Sequence, residues 1–168
     1  VAAPSSKVLG NMLGQTDILE YFKNKGYDVM HITSKFGAVI NGKKVGREFF
    51  FQTLQEWGAD DARKFVIFHY SILSEGINVP GLTHTILLRN LPIIEMAQTI
   101  GRVIRVHKDD RAAVAEGKIP AGAFHLYKKS EGIVTMPTGY KMGNAIAQRL
   151  QNVVNSIFIE GRPPMAFC

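Results

Sequence analysis

The apolar positions of this chain change period along its length, and those changes mark out its elements. Lys7 to Leu13 reads as a first short strand, and Thr16 or Asp17 is placed to cap a helix that runs to Lys25 and stops at Gly26. Tyr27 to Thr33 then alternates in the manner of a strand. Ser34 to Gly46, rich in Gly, Lys and Asn, predicts an exposed loop, after which Arg47 to Trp57 resumes a helical period. Within Lys64 to Tyr70 the residues Phe65, Val66, Ile67 and Phe68 are consecutive, the pattern of a strand buried on both faces, and Thr83 to Arg89 predicts a second such strand. A helix follows from about Ile93. Farther on, Ala123 to Tyr127 and Ile133 to Met136 are spaced to pair as a hairpin across Lys128 to Gly132. A last helix, from about Tyr140 to Ile159, repeats apolar residues at Met142, Ile146, Leu150, Val153, Val154, Ile157 and Phe158.

Strands alternating with helices predict an α/β fold, with a mainly parallel sheet carrying helices on both faces and a C-terminal hairpin and helix added to it. Sheets of this kind place ligands at the carboxyl ends of their strands, so the stretches after Tyr70 and after Arg89 are expected to meet at one sheet edge. A chain of 168 residues fits one domain able to bury roughly 70% of its unfolded surface. Its apolar and charged fractions, 46% and 20%, are those of a soluble globular protein. No apolar run approaches the roughly 20 residues that cross a membrane, and the amino end lacks a charged-then-apolar leader pattern, so no membrane partner is expected. The one cysteine, Cys168, cannot form an intrachain bridge, which fits an intracellular, cytoplasmic setting. Because the chain begins with Val1 and not methionine, a fragment or processed product of something longer is expected.

Charge turns attention to polyanions: the net charge is +6 and the pI about 9.5. At about 100° per residue, a helix through Gln98-Thr99-Ile100-Gly101-Arg102-Val103-Ile104-Arg105 gathers Gln98, Gly101, Arg102 and Arg105 on one face. Ile93, Met96, Ala97, Ile100, Val103 and Ile104 fall on the other. Arginine is a rigid, permanently charged fork of donors, so a paired-arginine stripe beside a glycine suits a polyphosphate. An ordinary solvated face, balanced by Glu95, is the competing reading. Upstream, after the buried strand, comes Tyr70-Ser71-Ile72-Leu73-Ser74-Glu75-Gly76-Ile77-Asn78-Val79-Pro80. There Gly76 permits close backbone approach, Asn78 offers an amide to a hydroxyl and Ser71 can donate to a phosphate oxygen; a plain turn accounts equally for Gly76 and Pro80.

In order, spacing and place after predicted strands, the segments Ser71 to Pro80 and Gln98 to Arg105 resemble motifs V and VI of superfamily 2 helicases, in the second RecA-like domain of those proteins. The resemblance runs from about Lys7 to Lys108 and is complete at Gln-x-x-Gly-Arg-x-x-Arg. Within the superfamily the chain is most similar to phage UvsW-type recombination and repair helicases and to the helicase subunits of type III restriction enzymes. The resemblance implies a RecA-like three-layer core over residues 1–111 and a C-terminal extension over 112–168. It also implies a motor of two RecA-like domains with ATP between them and a nucleic-acid strand, expected to be DNA, lying across both. Arg105 would be the arginine finger at the γ-phosphate, Arg102 a second phosphate contact and Gln98 a polar sensor. In comparable phosphohydrolases an arginine finger contributes roughly 10³ to 10⁵ in rate. Gly76 and Asn78 would lie near the nucleotide ribose, although the family often has aspartate where this chain has Asn78. Ser71, Ser34, Lys35 and Arg47 would touch the nucleic-acid backbone, with Lys43 and Lys44 adding charge; for these lysines a merely solvated loop is the alternative.

The sequence also lacks parts that such a motor needs. It contains no Gly-x-x-x-x-Gly-Lys-Ser/Thr loop and no Asp-Glu magnesium motif, so Mg²⁺ and the nucleotide's β- and γ-phosphates are expected to be held by an N-terminal RecA-like domain of the same protein. Met136-Pro137-Thr138-Gly139-Tyr140-Lys141-Met142 lacks the second glycine and the hydroxyl after the lysine, and reads as a helix-entry turn. Asp60-Asp61 and Asp109-Asp110 read as exposed or helix-capping pairs. His31, His69, His84, His107 and His125 show no zinc spacing, so no metal site of the chain's own is expected. The resulting expectation is the second motor domain of an ATP-dependent helicase or translocase, inactive as an isolated chain. The alternative is a non-catalytic RecA-like adaptor that binds nucleic acid or a protein.

Overall fold

Helices of the first half form where apolar residues recur every three or four positions, and strands form where β-branched and aromatic residues run together. The computed structural model describes residues 1–33, 36–70, 79–137 and 143–157, and of 143–146 and 157 the backbone alone. The chain is a mixed α/β protein that divides into two compact units, Val1–Leu82 and Thr83–Cys168.

In the first unit, α1 (Ser6–Gln15) is opened by Ser5, whose hydroxyl accepts from the amide of Val8 at 3.1 Å. The strand expected at Lys7 to Leu13 is thus a helix. Its Leu9, Met12 and Leu13 follow a period of three to four, and they pack with Ala3, Val29 and Phe68. Helix α2 (Ile18–Asn24) adds Leu19 and Phe22 to the same cluster and ends before Gly26, whose φ of 78° suits glycine. Strands β1 (Asp28–Thr33), β2 (Gly37–Ile40), β3 (Lys43–Val45) and β4 (Phe65–His69) form one sheet in the order β3-β2-β1-β4. Met30 lies beside Ile67 in the parallel β1–β4 pair and opposite Ile40 in the antiparallel β1–β2 pair. Val1 to Ala3 runs parallel along the other edge of β4, the amide of Ala3 donating to the carbonyl of His69 at 2.8 Å.

The sheet is therefore mixed, where a mainly parallel one was expected, and the reason lies in the segment read as a loop. Asn41 and Gly42 have φ of 49° and 82°, the left-handed pair that a two-residue hairpin turn demands. Asn41 also ties the turn to β1: its Oδ1 accepts from the Val29 amide at 2.8 Å and its Nδ2 donates to Asp28 at 2.7 Å. Lys43 and Lys44 consequently stand on an edge strand and not in a loop.

Helix α3 (Arg47–Ala59) buries Phe50, Thr53, Leu54 and Gly58, one stripe of a helix, and packs Phe50 and Leu54 with Met30, Ile32, Ile40 and Ile67. Because Met30 and Ile67 alternate with Val29 and Phe68 along their strands, α3 covers one face of the sheet while α1 and α2 cover the other. Phe50 and Leu54 are fully buried, each stabilising the fold by about 1.5–3 kcal/mol. A Cβ on Gly58 would stand 2.5 Å from the carbonyl oxygen of Pro80, so only glycine lets α3 meet the Val79–Gly81 turn.

In the second unit, β5 (His84–Ile86) pairs in parallel with β6 (Ile133–Thr135) in a separate two-stranded sheet. This corrects two expectations. Ile133 to Met136 does not form a hairpin with Ala123 to Tyr127, part of which is a 3₁₀ turn at Phe124–Leu126. Nor is β5 a strand buried on both faces of the first sheet, since His84 is exposed while Thr85 is buried. His84 bonds the hydroxyl of Thr135 across the pair at 2.7 Å. Helix α4 (Ile93–Val103) buries Met96, Thr99, Ile100 and Val103, and packs against α6 (Gly143–Ile157), whose Val153 is buried. Between them lies α5 (Lys108–Ala115), capped by His107 and not anticipated from the sequence. The parts of the expected last helix at 140–142 and 158–159 lie outside the described residues. No described helix is long and apolar enough to cross a membrane.

Candidate functional site

The candidate site is built on α4 and the turn that follows it. Met96, Ile100 and Val103 are buried as expected, with Thr99 beside them bonded to the carbonyl of Glu95 at 2.8 Å. Ile93 and Ile104, expected to be buried, are exposed. The opposite face presents Gln98 exposed and Arg102 half-buried. Between them, a Cβ placed on Gly101 would meet nothing within 4 Å among the described residues. Glycine in a helix interior costs about 0.5–1 kcal/mol relative to alanine, and among the described residues no packing contact requires it here. Glu95, the acid expected to balance the stripe, instead bonds Arg89 at 3.2 Å.

Arg105 departs from the expected geometry because α4 ends at Val103, with Ile104 as its C-cap. Continuing the helix would require the Val103 carbonyl to accept from the amide of residue 107. That carbonyl accepts from the Nζ of Lys129 instead, and the same ammonium donates to the Arg105 carbonyl at 2.9 Å. Arg105 is thus exposed on an irregular turn, yet it stays electrically close to Arg102. Burial first, and the Arg105 charge second, push the Arg102 guanidinium below its ordinary value. The approach to α4 is fixed from α6: Arg149 donates to Asn90 Oδ1 at 2.8 Å and to the Leu91 carbonyl at 3.1 Å.

The remaining candidates distribute as follows. Ser71, Gly76 and Asn78 lie outside the described residues, as do Ser34 and Lys35. Lys43 and Lys44 are exposed on β3, where lysines also discourage edge-to-edge pairing of the sheet. Arg47 opens α3 and its guanidinium sits 5.2 Å from the centre of the Phe51 ring. These three belong to the first unit, Gln98, Arg102 and Arg105 to the second. Residues 83–168 hold eleven Lys and Arg against six Asp and Glu, so most of the chain's positive charge is in the unit that carries the arginines.

Three residues with no local sequence signal complete the arrangement: Asp110, Lys129 and Gly132. Asp110, expected to be exposed or helix-capping, lies in the first turn of α5 yet is 3% exposed, and its two carboxylate oxygens accept from the amides of Lys128 at 2.7 Å and Lys129 at 3.1 Å. A Cβ on Gly132 would stand 2.6 Å from the Val103 carbonyl oxygen. Chemically, the site offers two neighbouring guanidinium groups, a side-chain amide and an open glycine, a set of donors suited to a multiply charged oxyanion. Comparison with protein-family models, curated proteins and solved structures finds no match to this chain.

Proposed function

We propose that this chain is the second, RecA-like motor domain of an ATP-dependent nucleic-acid helicase or translocase, with DNA as the strand it moves along. The observation that carries the reading is the open space over Gly101 on the face that also bears Gln98 and Arg102, with Arg105 close by. A helix keeps an interior glycine at a cost in stability, and an approaching ligand gives a reason for it. The complete Gln-x-x-Gly-Arg-x-x-Arg spacing favours the phosphate chain of ATP as that ligand. The RecA-like assignment draws support from the parallel β1–β4 pair and from helices on both faces of their sheet.

In this reading ATP is the substrate, and it lies between this domain and an N-terminal RecA-like domain of the same protein that holds Mg²⁺ and the β- and γ-phosphates. Arg105 and Arg102 neutralise charge that develops on the transferred phosphoryl group, and Gln98 senses its presence. By the same resemblance Gly76 and Asn78 would serve the ribose. Ser71, Ser34, Lys35, Lys43, Lys44 and Arg47 follow the nucleic-acid backbone, each phosphate neutralised adding about −0.9 to the salt slope on duplex DNA. Closure of the two domains on ATP and reopening after hydrolysis shifts them along the strand.

The test is to assay the chain alone and joined in cis to a domain carrying the Gly-x-x-x-x-Gly-Lys-Ser/Thr and Asp-Glu motifs. The chain alone binds DNA weakly and hydrolyses no ATP, while the two-domain protein hydrolyses ATP and is stimulated by DNA. Hydrolysis by the chain alone, or none by the two-domain protein, contradicts the reading.

A further inference from the structure

We infer that Lys129 is a positioning residue for Arg105: its ammonium, held by the Asp110-anchored segment, clamps the turn after α4 and sets where the Arg105 guanidinium stands. The inference rests on the proposed function for its catalytic consequence, but its structural content is independent of it. Arg105 lies beyond the C-cap of α4, Ile104, whose amide donates to the Ile100 carbonyl at 3.0 Å. Two carbonyls at this end, those of Val103 and Arg105, converge on one Nζ. An ammonium suits the place, because the C-terminal carbonyls of a helix carry its partial negative charge.

The clamp is itself built. Asp110 is buried on α5 and spends both carboxylate oxygens on the amides of Lys128 and Lys129, fixing the backbone from which the lysine reaches. Gly132 lets the same segment lie directly against Val103, where any side chain would collide with the Val103 backbone. Burial lowers the pKa of Lys129, as expected for an ammonium withdrawn from water and committed to the protein. The segment from Asp110 to Gly132 thus gives residues of the C-terminal extension a task in the arginine site. A shift of about 1 Å at a catalytic group can cost about 100-fold in rate, so a device that removes slack from an irregular turn matters to turnover more than to binding.

The experiment compares Lys129→Met, Lys129→Gln and Lys129→Arg in two settings. In the 168-residue chain, amide hydrogen exchange is followed at Ile104 to Val106, with Val29 to Ile32 of β1 as an internal reference. Exchange at the turn is expected to quicken about tenfold or more in the Met and Gln variants, to be normal in the Arg variant, and to be unchanged in β1. In the two-domain protein, kcat for ATP falls about 10- to 100-fold in the Met and Gln variants with KM held within about twofold, and Lys129→Arg restores it. If Lys129→Met does not fold, the contrast of Gln with Arg carries the same test. Unchanged exchange in the Met and Gln variants overturns the inference, as does a loss of kcat that Lys129→Arg fails to rescue. If exchange quickens as expected while Arg105→Ala leaves turnover intact, the clamp stands and the functional reading falls.

Discussion

Replacing Gly101 by alanine separates two reasons for which a helix can carry a glycine. Gly101 lies within α4, two residues before its end, and a Cβ there meets nothing within 4 Å among the described residues, so the substitution meets no steric obstacle there. Alanine then recovers helix propensity worth about 0.8–1.0 kcal/mol in a helix interior. So near the helix end the gain is about 0.5–1 kcal/mol, which raises the melting midpoint by about 1–4 °C. The same methyl group stands where the phosphate chain is proposed to approach Gln98, Arg102 and Arg105. Nucleic-acid-stimulated ATP hydrolysis by the two-domain protein should therefore fall at least about tenfold, about 1.4 kcal/mol in the barrier. The two effects have opposite signs, which a general disturbance of the helix would not produce. Calorimetry of the chain and steady-state hydrolysis by the two-domain protein check them. A Gly101→Ala chain less stable than wild type would show that the protein itself uses the space over Gly101. A more stable variant with undiminished hydrolysis would show that no ligand comes there.

Two further predictions concern the first unit. Asn41→Ala loses the bonds to Val29 and Asp28 and places alanine at a φ of 49°, so urea unfolding should show a loss of about 1.5–3 kcal/mol; a loss below about 0.5 kcal/mol contradicts the role given to this turn. Burial holds the His31 pKa below its usual 6.5, and its Nδ1 is buried with no hydrogen-bond partner among the described residues, so folding disfavours the protonated ring. The unfolded chain takes up the proton first as pH falls below 6.5, and stability is lost as pH drops on through the folded value. His31→Gln should therefore lose less stability than wild type between pH 7.5 and 5.5, and identical pH slopes for the pair would refute this.

What the sequence made legible was the part governed by short-range pattern. The apolar run at Phe65 to Phe68 gave β4, and the helical period from Arg47 to Trp57 gave α3. Lys7 to Leu13, which reads as a strand, lies in helix α1 although Gly10 and Gly14 lower its helix propensity. The packing of Leu9 in the cluster with Phe68 outweighs that propensity, and Gly10 leaves room for the Phe36 ring, 3.1 Å from where its Cβ would be. The hairpin at Gly37 to Val45 was legible in principle, since Asn41-Gly42 is a strong turn signal that the abundance of Lys and Gly obscured. By contrast, β6 pairs with a strand nearly fifty residues earlier, and no local period reports such a partner. The arginine stripe was legible as spacing, but the end of α4 before Arg105 was not. That end depends on Lys129 and Gly132, which reach it from a distant part of the sequence.

The proposed action of Arg105 on the phosphoryl group of ATP held by a neighbouring domain is open to measurement by single-turnover hydrolysis in the two-domain protein on DNA. Arg105→Ala is expected to lose about 10³-fold or more in the hydrolysis rate, with the fold and ATP binding retained and no recovery in Arg105→Lys, whose point charge lacks the guanidinium fork. Turnover at the wild-type rate in Arg105→Ala would contradict it.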